Sequence, residues 1–217
     1  MNTKTDRRHC KPYTMHATII GSTGLIGSHL LNLLINNPDY STVRILIRRP
    51  LEFSHPKLEK KLVDFNDKES FRLALEGTEV IFCCIGTTMK KMKGDKEAYR
   101  KIDYDIAVQA AQLGKANGCE KFVLVSAVGA DSNSRNFYLK LKGETEEAVQ
   151  ASGIESVYIL RPSLLIGNRK EFRAGEKLAT WLMPLFAFLL PARYRPVKAS
   201  EVAKAMVNAV KDTDTKN

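Results

Sequence analysis

The chain has 217 residues and a formal net charge of +10, from 34 Lys and Arg against 24 Asp and Glu. That length suits one α/β domain with a sizeable buried core and leaves room for no more than a small additional lobe. The basic residues gather at 90–101, 169–173 and 193–198, each after a predicted strand, with no long basic helix and no interleaved aromatic run, so an anion-lined cleft fits them better than a nucleic-acid surface. Solvated lysine-rich loops are the plain alternative.

Residues 1–14 form a polar, basic extension containing Arg7 and Arg8, and no apolar stretch long enough for a secretory core follows it. Neither a secretory nor a twin-arginine signal is therefore expected, and the single domain is placed at 15–217. Cys10, Cys83, Cys84 and Cys119 lack metal-ligand spacing, and Cys83 and Cys84 fall inside the apolar run 80–85. They read as buried, reduced thiols of a cytoplasmic protein with no metal site.

The first predicted strand, 17–20, runs into Gly21-Ser22-Thr23-Gly24-Leu25-Ile26-Gly27 and then an amphipathic helix over 25–35. A strand, a glycine-rich turn and a helix in that order form a dinucleotide cradle. One glycine permits the turn, one lets backbone approach a pyrophosphate and one lets helix and strand close up, while the helix N-terminus presents unpaired N–H groups. The G-x-x-G-x-x-G spacing is one residue longer than the commoner fingerprint.

Strands at 43–47, 61–63, 79–85, 121–126 and 156–160 follow, alternating with helices at 68–75, 97–117 and 137–151. Apolar strands alternating with helices predict a doubly wound parallel sheet, a Rossmann fold, covered on both faces. Ligands of such a sheet sit beyond the carboxyl ends of the strands. This directs attention to the glycine turn, Arg48-Arg49, Asp64-Phe65, Gly86-Thr87-Thr88, Ser126 and Arg161-Pro162-Ser163. After Arg161 the alternation loosens into a small substrate-side segment, about 162–199, whose apolar stretch 178–190 is too short for a membrane span and is interrupted by Pro184. It reads as a lid or core helix, with an interfacial membrane helix or a partner surface as alternatives. Ser200 is the expected N-cap of a last helix over 201–210.

After the second strand, where an acidic residue would grip the ribose hydroxyls of NAD, the chain carries Arg48 and Arg49, which suit a 2′-phosphate. Asp64 offers an acceptor to an adenine amino group, or is simply a local cap. Tyr138 and Lys142 stand four apart on a predicted helix and share a face, with Ser126 at the end of the preceding strand. An ammonium beside a phenol favours the phenolate, which makes the tyrosine a usable acid and base, and the serine can donate to a carbonyl. Tyr194 and Lys198 have the same spacing, but Arg195-Pro196 does not suit a helix interior.

The G-S-T-G-L-I-G turn, Arg48-Arg49, F-C-C-I-G-T-T at 82–88, V-S-A-V-G-A-D at 125–131 and Y-L-K-L-K-G-E at 138–144 together resemble an atypical short-chain dehydrogenase/reductase. Within that family they are most similar to the Tat-interacting-protein oxidoreductase group. The resemblance covers about 14–210. It implies that Gly21, Ser22, Thr23, Gly24, Leu25 and Ile26 bind the pyrophosphate side of NADP(H) and that Arg48 and Arg49 bind its 2′-phosphate. It also implies that Gly86 and Thr87 lie along the cofactor, that Lys142 holds the nicotinamide ribose, and that Tyr138 is the acid with Ser126 beside it. Where many extended members carry asparagine in the helix after the fourth strand, this chain has Asp103, which leaves a proton relay there in doubt.

The expected function is NADPH-dependent reduction of a carbonyl on a small, anionic substrate. The alternative is a non-catalytic NADP(H)-binding redox sensor that acts through a protein partner; under either reading a monomer or a dimer is expected. A nucleotide-sugar epimerase would use the same three residues, but 162–199 is short for a sugar-nucleotide subdomain.

Overall fold

The computed structural model describes residues 14–166 and 194–211. The basic extension up to residue 13, the basic cluster 169–173 and the apolar stretch 178–190 lie outside the described residues.

Six strands form one parallel sheet: β1 (Met15–Ile20), β2 (Tyr40–Ile47), β3 (Leu58–Leu62), β4 (Val80–Cys83), β5 (Lys121–Val125) and β6 (Ser156–Leu160), in the order β3-β2-β1-β4-β5-β6. The order reverses between β1 and β4, and this is the crevice where a doubly wound sheet takes a dinucleotide. A two-stranded parallel ribbon, β7 (Leu165–Ile166) with β8 (Val197–Lys198), stands apart from it.

Alternate residues of each central strand serve opposite faces. Ala17, Ile19, Val80 and Phe82 join the core under α1 (Leu25–Ile35) and the last helix, α6 (Ala199–Lys211). Ile20, Ile81, Cys83, Phe122 and Leu124 join the core under α2 (Lys68–Ala74), α4 (Ile106–Ala116) and α5 (Phe137–Gln150). Burial on both faces is the reason the strands read as continuous apolar runs.

The edge strand departs most from the sequence reading. It runs through Leu58-Glu59-Lys60-Lys61-Leu62 rather than 61–63 and has no apolar run, because it is an edge strand whose outer side pairs with no strand among the described residues. Its charges are answered across the ladder. Arg44 is in register with Glu59, its Nε donating to Oε2 at 2.7 Å, and its Nη1 also donates to the Ala74 and Glu76 carbonyls at the end of α2.

The long helix expected at 97–117 begins as α3 (Lys96–Arg100), passes through a π turn at Lys101–Asp105 and continues as α4. The last helix starts at Ala199, directly from β8, so Ser200 lies inside it rather than capping it. Ribbon pairing up to Lys198 sets that start. Tyr194 and Lys198 lie in a short helical turn and in β8, so their spacing does not put them on one helix face.

Candidate functional site

The carboxyl ends of β1, β4 and β5 bring the glycine turn, the 86–88 loop and Ser126 to one edge of the sheet. In the turn, Gly21 has φ +88°, and the Gly24 N–H donates to its carbonyl at 3.0 Å. A Cβ at Gly21 would lie 2.8 Å from the Cys84 carbonyl carbon, and one at Gly27 would lie 2.1 Å from the Gly21 oxygen. Any side chain at either position would break the packing of β1, α1 and the chain leaving β4.

Gly24 is the N-cap of α1. No side chain caps this end and no acidic residue stands in its first turn, so its positive end is uncompensated. Thr23 and Gly24 are exposed, Leu25 is half-buried and Ile26 is buried. The buried Ser22 hydroxyl has no hydrogen-bond partner among the described residues. A cradle closed to any Cβ, an uncapped helix N-terminus and an unpaired buried hydroxyl are what a pyrophosphate would complete.

On the far side of β1, Arg48 and Arg49 follow β2 directly and both are exposed. Asp64, just past β3, is occupied locally, since its Oδ1 accepts from both the Asn66 backbone N–H and the Asn66 side-chain amide at 2.9 Å. This is the local-cap role, an Asx turn leading into α2. Phe65 packs edge-on against Phe71, with ring centroids 4.9 Å apart, and so is partly committed to the core.

Beyond the switch point, Ser126 is the first residue past β5. Its backbone N–H donates to the Leu160 carbonyl at 2.8 Å, which fixes its position, yet the residue is only 5% exposed and its hydroxyl has no partner among the described residues. Asn136, which the sequence reading passed over, starts α5 by accepting from the Tyr138 and Leu139 N–H groups at 3.0 and 3.2 Å. Phe137 is braced by an edge-on contact with Tyr99, centroids 5.8 Å apart. Tyr138 is 39% exposed and opens toward solvent, while Lys142, one turn on, is 6% exposed. Gly143 lets α5 press on the preceding loop, because a Cβ there would sit 2.2 Å from the Ser132 nitrogen.

Asp103 is the residue the sequence reading left open. The π turn carries it to Lys142, whose Nζ lies 3.0 Å from Oδ1, while Oδ2 accepts the Thr87 backbone N–H at 2.8 Å. Asp103 is itself 2% exposed. One carboxylate thus ties α5 to the loop after β4, next to exposed Gly86, and the Tyr99 hydroxyl donates to the Thr87 carbonyl from the other side at 3.3 Å. Burial alone pulls the Lys142 ammonium toward losing its proton. The Asp103 carboxylate, with the Tyr138 phenol adding to it, outweighs that and holds its pKa above the usual 10.5.

Cys83 lies beside this pair, and burial pushes its thiol up to about 11; burial likewise raises the Cys84 thiol well above its ordinary value. Cys83, Cys84 and Cys119 are free thiols, and none is in the ionised state a nucleophile or a metal ligand needs. Among the described residues no group of His, Cys, Asp or Glu is arranged to hold a metal ion, and no helix is long and apolar enough to cross a membrane. Arg161 is not free at the site edge, since it is ion-paired with the buried carboxylate of Glu146 on α5.

The comparisons with known proteins bear on the family and the fold. The family model described as NAD(P)H-binding matches residues 21–213. Protein HTATIP2 of Rattus norvegicus is 34% identical over 196 residues, 88% of this chain and 78% of the rat protein. Protein FMP52, mitochondrial, of Candida albicans is 31% identical over 208 residues, 89% of this chain and 87% of the yeast protein. Among solved structures, the UDP-glucose 4-epimerase of Thermotoga maritima with UDP-glucose has a TM-score of 0.70 at 17% identity, covering 91% of this chain and 74% of the epimerase. MoeE5 in complex with UDP-glucose and NAD has a TM-score of 0.66 at 18% identity, covering 89% and 71%. At those identities the structural likeness concerns the Rossmann fold alone. The chain belongs to the NAD(P)H-binding family, as an atypical short-chain dehydrogenase/reductase near HTATIP2.

Proposed function

We propose that the chain is an NADPH-dependent oxidoreductase that reduces the carbonyl of a small, anionic substrate. The observation that carries this reading is the unpartnered, buried Ser126 hydroxyl at the same sheet edge as Tyr138 and the buried Lys142 ammonium. A buried hydroxyl left without a partner costs free energy unless a ligand completes it, and a carbonyl oxygen is an acceptor of the right kind.

Gly21, Ser22, Thr23, Gly24, Leu25, Ile26 and Gly27 hold the pyrophosphate by backbone N–H groups and the Ser22 hydroxyl. Arg48 and Arg49 take the 2′-phosphate, and the adenine end lies by Phe65 and by Asp64, whose Oδ1 is already committed to Asn66. Gly86 and Thr87 flank the chain of the cofactor, and Lys142 serves the nicotinamide ribose. When bound, NADPH supplies the hydride. Tyr138 gives the proton to the carbonyl oxygen, Ser126 orients and polarises that oxygen, and the Lys142 ammonium favours the phenolate left behind.

The choice of cofactor tests this assignment without a substrate. NADPH is expected to bind more tightly than NADH by about 1–3 kcal/mol, the worth of charge-assisted contacts to the extra phosphate. An Arg48→Ala, Arg49→Ala double variant should lose that margin and keep its NADH affinity. Titrations of both cofactors by fluorescence or calorimetry measure it, and equal affinities in the wild type contradict it.

A non-catalytic NADP(H)-binding regulator is the second reading. It is favoured by the Asp103 carboxylate at 3.0 Å, which spends part of the Lys142 charge that would otherwise act on the phenol. We place the protein in the cytoplasm on the reduced-thiol argument. The fungal relatives carry mitochondrial names, and fractionation of cells expressing the tagged chain decides between the two compartments.

A further inference from the structure

We propose that Asp103 sets the redox-state selectivity of the nucleotide site: by neutralising Lys142 it lets the oxidised cofactor, with its cationic nicotinamide ring, bind about as readily as the reduced one. The inference rests on the reading that the site holds NADP(H). It goes beyond that reading because it assigns a function to a residue that neither the glycine turn nor the Ser126, Tyr138, Lys142 set requires.

The argument starts from topology. With Arg48 and Arg49 past β2, the phosphate-bearing ribose lies on the β2 side of the switch point, and a dinucleotide crossing the crevice delivers its nicotinamide half to the β4–β5 side. Lys142 and Asp103 are on that side, and both are buried. The oxidised and reduced nicotinamide rings are nearly the same in shape and differ by one unit of charge. A site that discriminates between them does so by its local field, and in a water-poor site a charge a few ångströms away has a large effect.

The π turn places the counter-charge. It directs Oδ1 to the Lys142 ammonium and Oδ2 to the Thr87 N–H, so the carboxylate is held from two sides and the ammonium is matched at 3.0 Å. The other groups that face Lys142 are the Tyr138 phenol on its own helix and the Cys83 thiol of β4, which burial keeps neutral. Asp103 is therefore the carboxylate that balances the lysine. Without it, an unmatched ammonium would repel the cationic ring of NADP+ and leave NADPH untouched. Asp103 acts here through Lys142 and is a positioning and charge-setting residue rather than a catalytic one.

The test compares dissociation constants for NADP+ and NADPH at pH 6.0 in the full-length wild type and two variants, a low pH being chosen to oppose the loss of the Lys142 proton that burial favours once Asp103 is uncharged. Asp103→Asn keeps an oxygen acceptor for the Thr87 N–H and removes the charge. It is expected to weaken NADP+ relative to NADPH at least tenfold, which raises the potential of the bound couple by about 30 mV for each tenfold change. Lys142→Met leaves Asp103 facing the nicotinamide alone and should move the ratio the other way by threefold or more, because the cationic ring itself favours the ionised carboxylate. Loss of the ribose contact in that variant weakens both forms alike and cancels in the ratio.

Opposite shifts are the signature of charge. Shifts in the same direction, or a ratio that stays within twofold of wild type in both variants, overturn the proposal while the NADP(H) reading stands. If Asp103→Asn does not fold, the Lys142→Met ratio alone decides, and no movement toward NADP+ refutes the inference. Failure of the wild type to bind either form removes the cofactor reading and the inference with it.

Discussion

Tyr138→Phe is expected to lower kcat by about 10²- to 10⁴-fold, the usual contribution of a positioned general acid, while folding and NADPH affinity change little. The substitution removes a single hydroxyl from a residue that is 39% exposed, so no core contact is lost. The Tyr138 backbone N–H on Asn136, which starts α5, is also untouched. A loss confined to kcat would separate proton donation from binding. Reductase activity retained in Tyr138→Phe would refute the proton-donor role and favour the regulator. Absence of turnover in the wild type across a broad panel of anionic carbonyl compounds would do the same.

Lys142→Met should be costly in a different way. It removes the ammonium but leaves the Asp103 residue 2% exposed, its carboxylate keeping the Thr87 N–H as its one remaining partner among the described residues. Breaking one side of a buried ion pair typically costs about 3–5 kcal/mol, far more than the pair contributes over an apolar replacement. Urea unfolding should therefore show a loss of that size, and an Asp103→Asn, Lys142→Met double variant should recover most of it. A loss below about 1 kcal/mol would mean that the carboxylate finds other solvation.

The pH dependence has a definite sign. Burial opposes the Lys142 charge and Asp103 favours it, with a net folded-state pKa above the 10.5 of the free side chain. The stabilisation linked to this proton is thus fully present below pH 10.5. It disappears only as the pH rises through the folded-state value, so wild-type stability should show no Lys142-linked loss at neutral or acid pH. In Lys142→Met the alkaline loss belonging to this group should be absent.

Parts of the fold were legible because local chemistry and global packing agree. The helix at Leu25–Ile35 has its expected bounds, since a glycine turn opens it and Asn36-Asn37-Pro38 follows it. β6 at Ser156–Leu160 was equally plain, being bounded by Gly153 and by Pro162. The edge strand was misplaced because Glu59, Lys60 and Lys61 look like a loop until Arg44 is seen in register with Glu59.

The site was legible residue by residue, but the connections between its residues were not. Tyr138 over Lys142 follows from helical spacing, and Ser126 follows from a strand end. The Lys142–Asp103 pair follows from neither. A π turn adds one residue to a helical turn without disturbing its apolar pattern, and in sequence Asp103 reads as one more polar residue in Lys101-Ile102-Asp103-Tyr104-Asp105. The signal that pointed toward it was the departure from asparagine in the resembling family. Asp64 illustrates the opposite limit, in which a residue at a ligand-facing strand end spends its Oδ1 on Asn66 two positions away.

A crystal structure of the wild-type protein with NADPH tests the central claim most directly. The account predicts the pyrophosphate on the Gly21–Gly27 turn, the 2′-phosphate on Arg48 and Arg49, and the nicotinamide ring beside Ser126 and Tyr138 with Lys142 at its ribose. A cofactor bound with its nicotinamide outside the Ser126, Tyr138, Lys142 cluster, or with its 2′-phosphate away from both arginines, would contradict it.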